Sequence, residues 1–169
     1  MAGARTVAGR LVAAAGATLR APHDTVTRLF PSPEALYDLA RHEPGVFAMP
    51  AGRRRALAAL AEAVAGGDLT LGPGADPGET RRALVALPGI GAWTAEYVVM
   101  RALRDPDAFL PTDLGIRRAA DALGLPDDPR ALTAHSERWR PRRSYVMAHL
   151  WALPVSPRTH KPSTKGQAA

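Results

Sequence analysis

The 169-residue sequence contains no cysteine. That excludes disulfides, thiol chemistry, cysteine-ligated zinc and iron–sulfur clusters, and it fits a reducing compartment. Lysine is nearly absent too: Lys161 and Lys165 are the only two, and basicity rests on 20 arginines. Aromatics are few, three each of Phe, Tyr and Trp, so any local grouping of them is notable. No apolar run approaches the roughly 18 residues a bilayer span requires. The N-terminus lacks a separate apolar core with a cleavage site, so no signal peptide is read and a cytoplasmic, nucleoid-associated location is expected. The five histidines (His23, His42, His135, His149, His160) show no metal-ligand spacing, and no Ser/His/Asp arrangement or carboxylate cluster stands out.

What is present is a formal charge of +6. Such a balance suits a polyanion, because phosphate contacts release counterions. The Ala-, Arg-, Gly- and Pro-rich composition offers a rival account, since compositional bias would raise arginine in any protein. Almost every segment has helical period. Helices are expected over 4–18, 33–41, 53–64, 77–87, 92–103, 113–124, 128–139 and 142–153, and no strand of convincing length is seen. Ser32 and Asp76 read as N-caps, each followed by Pro at the first helical position, with Glu79 completing a capping box. Residues 22–33 read as a connection held by the apolar pair Leu29-Phe30. Arginines 53–55 at a helix start oppose its dipole; a solvated surface or a nearby anion would account for them. The expectation is an all-α single domain over 1–153, followed by a disordered polar tail over 154–169.

Residues 84–101 carry the main signal: a helix end, a Pro-Gly-Ile-Gly turn and a second helix. Pro88 ends the first helix, while Gly89 and Gly91 permit positive φ and close backbone approach. Leu87 and Ile90 can anchor the turn. The amides opening the next helix, from Ala92 to Thr94, could hold a phosphodiester without reading bases. An ordinary helix–turn–helix corner would look similar. Trp93 and Tyr97 are four apart and share one face, which suits core packing or a wall that stacks on an extruded base. Glu96 reads as surface. Asp113, after Pro-Thr, suits a helix N-cap, or Thr112 caps and leaves the carboxylate free.

The motif from Leu87 to Ala95, followed by Phe109-Leu-Pro-Thr-Asp113, resembles the helix-hairpin-helix (HhH-GPD) DNA glycosylase superfamily, and within it the AlkA-type bacterial 3-methyladenine glycosylases. The likeness extends to Met49-Pro50, 53–59 and 137–151, and so covers about 4–153. It implies a helical bundle built around the hairpin, with Asp113 as catalytic carboxylate and Trp93, Tyr97 and Trp151 in the base pocket. It also implies that Leu87, Pro88, Gly89, Ile90, Gly91, Ala92 and Thr94 hold the DNA backbone. A monovalent cation, Na+ or K+, would sit on the backbone of Val85, Leu87 and Ile90. No other cofactor is implied. The partner would be double-stranded DNA containing alkylated bases, with no membrane involved.

An alkylated purine such as 3-methyladenine or 7-methylguanine is cationic and leaves as a neutral base, so a single carboxylate suffices for the chemistry. Aromatic faces favour such cations. Relatives that also cleave the backbone carry a Schiff-base lysine where Trp93 stands, so a monofunctional enzyme is expected. Two departures from the family pattern are noted. Thr112 replaces a frequent carboxylate. The chain also begins downstream of the family's first helix and wedge loop, so an N-terminally truncated fold is expected. A partner or upstream segment would supply the missing part, and excision would be weakened. A DNA-binding remnant without catalysis, gripping phosphates through arginines such as Arg53, Arg54, Arg142 and Arg143, is the alternative. Another base specificity is a third.

Overall fold

The computed structural model describes residues 2–154; the expected polar tail therefore lies, from residue 155, outside the described residues. The described chain holds eight α-helices, two single 3-10 turns and one two-stranded sheet. It falls into two compact units, divided after Ala108.

In the first unit, α1 (Ala2–Ala15) buries Leu11 against α2 (Pro33–His42), whose Leu36 and Leu39 are also buried. Ser32 caps α2 by accepting the Ala35 N–H at 3.2 Å, and Pro33 occupies the first turn. Phe47, in a 3-10 turn, and Ala61 of α3 (Ala51–Ala65) complete this cluster. A second cluster joins Leu69, Leu84 of α4 (Pro77–Ala86), Ile90, and Ala95 and Val99 of α5 (Ala92–Ala102). Leu60 and Val64 of α3 pack on it. Helix α3 thus presents apolar residues to both clusters, Leu57 to the first and Leu60 and Val64 to the second.

Two expectations fail here. Helix α1 stops at Ala15, and Thr18–His23 (β1) pairs antiparallel with Val26–Arg28 (β2) around Asp24, whose φ is +50°. Gly16 makes the break. A Cβ there would meet the Leu29 carbonyl oxygen at 2.4 Å, and the Leu29 N–H donates to the Ala17 carbonyl at 2.8 Å. The strands escape a search for alternation because almost every position is exposed; with neither face buried there is no period-2 pattern to read. Leu29 and Phe30 are not an anchor either, being 53% and 56% exposed.

In the second unit, α6 (Leu114–Ala122) packs against α8 (Arg143–Ala152), with α7 (Pro129–Ser136) between them in sequence. Ile116, Ala119, Ala120, Leu132, Met147 and Leu150 are among its buried residues. Asp128 caps α7 through the N–H groups of Arg130 and Ala131. Among the described residues, no helix is long and apolar enough to cross a membrane.

Candidate functional site

The hairpin between α4 and α5 is assembled from its first residues onward. Asp76 accepts the Glu79 N–H at 2.7 Å and starts α4; Pro88 forbids its continuation. The turn closes with the Ile90 N–H donating to the Leu87 carbonyl at 3.1 Å. Ile90 is buried and Leu87 packs on the same cluster, so both anchor the turn as expected. Gly89 has φ +85°, and a Cβ on it would stand 3.0 Å from the Ala56 Cβ. It is needed both for its backbone conformation and for its close approach to α3. Gly91, in contrast, has φ −90° and open space around it, so the freedom a glycine permits is not used there; it serves as N-cap of α5 without any capping side chain.

No hydrogen bond among the described residues uses the N–H groups of Gly89, Gly91, Ala92 or Thr94. These exposed donors gather at the positive end of the α5 dipole, an arrangement that suits an anion. The carbonyls of Val85 and Ile90 likewise accept no hydrogen bond among the described residues.

Glu96 is not a free surface residue. Arg81 of α4 grips its carboxylate with Nε and with Nη2, the latter at 3.1 Å, and also donates to Asp105 Oδ2 at 2.5 Å. The Glu96 and Asp105 side chains are only 18% and 11% exposed. Burial works against the Arg81 charge, but its hydrogen bonds to the two carboxylates and their charges outweigh it and its pKa is raised. This cluster ties the two legs of the hairpin together.

Trp93 and Tyr97 stack with ring centroids 5.4 Å apart and planes within 7°. They are 42% and 36% exposed, so core packing does not explain the pair. Electron-rich faces this open can take a planar ligand.

In the second unit, Asp113 caps α6 itself: its Oδ1 accepts the Ile116 N–H at 3.0 Å. The indole Nε1–H of Trp151, on α8, donates to the same oxygen at 3.0 Å. Two donors thus fix the carboxylate's orientation. Gly115 makes this possible, since a Cβ there would lie 3.1 Å from Asp113 Oδ1 and 3.4 Å from Trp151 Cδ1. Sequence reading did not single out Gly115, though a glycine in the first turn of a helix is a signal in itself. Thr112 is exposed and does not cap. Of the expected residues, the structure brings together Trp93 with Tyr97 in the first unit and Asp113 with Trp151 in the second.

No protein-family model matches the chain. It is 51% identical over 148 residues, 88% of its length, to the "probable bifunctional transcriptional activator/DNA repair enzyme AlkA" of Mycobacterium tuberculosis. Over 122 residues, 72% of its length, it is 34% identical to DNA-3-methyladenine glycosylase 2 of Escherichia coli. The chain spans 29% and 42%, respectively, of those two curated relatives. A crystal structure of a DNA-3-methyladenine glycosidase from Bacillus halodurans superposes with a TM-score of 0.65 at 25% identity, covering 89% of this chain and 67% of that one.

Proposed function

From its homology to AlkA-type DNA-3-methyladenine glycosylases, whose catalytic part it resembles, we propose that the chain is a monofunctional DNA glycosylase that removes alkylated purines from duplex DNA. The observation that carries this reading is the Asp113 carboxylate, held by two donors at the head of α6.

The stacked faces of Trp93 and Tyr97 accept the extruded base. They favour 3-methyladenine and 7-methylguanine over normal purines because a cationic ring is attracted to an aromatic quadrupole. When the glycosidic bond breaks, its electron pair departs with the base, which leaves neutral and needs no proton from an acid. Positive charge develops on the sugar and faces the Asp113 carboxylate. One unit charge about 4 Å away in a partly desolvated site is worth about 4 kcal/mol, or about a thousandfold in rate, so a single carboxylate suffices. Water then adds to the sugar carbon and loses a proton. No lysine precedes Lys161, which supports hydrolysis rather than a Schiff-base route.

The free amides of the hairpin hold the strand by a phosphate. The hairpin's carbonyls also fit the Na+ or K+ that the resemblance implies. Those of Val85 and Ile90 have no donor among the described residues, and that of Leu87 keeps a lone pair beyond its bond to Ile90. A cation there would add positive charge at the phosphate.

The test is release of methylated bases from alkylated duplex DNA, measured chromatographically, with Asp113→Asn as the comparison. Asparagine caps helices as well as aspartate and its oxygen can accept both donors, so this variant isolates the charge. A loss of about a thousandfold or more is expected. Equal release from both proteins would overturn the role of Asp113; binding without release from either would leave a DNA-binding module.

A further inference from the structure

Arg53, Arg54 and Arg55 open α3 at its least hospitable point. The first turn holds no acidic residue, Pro50 supplies no capping side chain, and cations there oppose the helix dipole. They do not stabilise this helix. The tertiary structure separates the three: Arg53 and Arg55 line a groove of about 670 Å3, and Arg54 does not. Pro88, Gly89 and Thr94 of the hairpin line the same groove. Its floor is apolar, from Ala56, Leu57 and Leu60. The close approach of Gly89 to Ala56 brings the hairpin against α3 in this groove. Neither Arg53 nor Arg55 pairs with a carboxylate among the described residues.

Two guanidinium groups beside an apolar floor match the repeating chemistry of a nucleic-acid strand, anionic phosphate alternating with apolar deoxyribose. A compact free anion would have no use for the floor. We propose that Arg53 and Arg55 bind a further phosphate of the strand whose backbone the hairpin amides hold, making α3 the second jaw of the clamp. This rests on the reading of the hairpin given above and extends it to a second element.

The experiment is binding of the full chain to a fluorescein-labelled undamaged duplex, followed by anisotropy across a KCl series. Arg53→Gln and Arg55→Gln should each reduce the slope of log affinity against log salt by about 1, and by the same amount on a duplex carrying an abasic-site analogue. Arg54→Gln removes the same charge from the same turn and should reduce it by less than half as much. Arg53→Lys keeps the charge and should keep the slope. Equal effects from all three glutamine variants, or none, would overturn the second jaw while wild-type binding upheld the hairpin reading. Wild-type protein that fails to bind duplex would overturn both.

Discussion

Asp113 is the cap of α6, and the charge proposed for the reaction sits on the same carboxylate. The Ile116 amide and the Trp151 indole both donate to Oδ1, and Gly115 leaves room for the indole to arrive. Phenylalanine at 151 would keep the aromatic face and lose only the donor. A hydrogen bond to a charged group is worth about 1.5–3 kcal/mol. Trp151→Phe should therefore slow single-turnover base release by about ten- to a hundredfold, with duplex affinity unchanged; an unchanged rate would show that the indole N–H does not position the carboxylate. That Asp113 heads a helix could be read from Pro-Thr-Asp. Its partner could not, because the two residues lie 38 positions apart.

At the scale of elements, the α4–α5 hairpin depends on one glycine more than the other. Gly89→Ala meets both a left-handed φ and Ala56, and should cost about 1–3 kcal/mol. Gly91→Ala, at an ordinary φ with open space, should cost well under that. Thermal or urea unfolding of the two variants separates these outcomes. The legs of the hairpin carry their own lock. Arg81→Leu removes this cation from two largely buried carboxylates, Glu96 and Asp105, and should cost about 1–3 kcal/mol, measured in the same way. The helices and their Ser32 and Asp76 caps were legible, since caps and 3.6-residue period act over a few residues. Glu96 was read as surface because its partner sits on another helix. The β1–β2 hairpin was missed because both its faces are exposed.

For the whole molecule, the charge of +6 is a long-range property that does not depend on any one contact. Duplex affinity should fall at least about tenfold between 50 and 200 mM salt, which even two phosphate contacts would produce. Affinity insensitive to salt would show that the arginine excess reflects composition alone. The hairpin and the Trp93–Tyr97 stack lie in one compact unit, and Asp113 with Trp151 lies in the other.

The sequence by itself determined the helical class, the Ser32 and Asp76 caps, the turn at Pro88-Gly89, and the exclusion of cysteine chemistry. Each of these follows from residue type or from spacing within a turn or two of helix. Only the tertiary structure decided that Trp93 and Tyr97 stack in the open rather than in a core, that Asp113 rather than Thr112 caps α6, and that Trp151 holds its carboxylate. It also decided which two of three consecutive arginines line the groove beside the hairpin. These outcomes depend on which surfaces are left over once the apolar faces are buried. Burial is settled by packing between residues distant in sequence, and no local pattern encodes it.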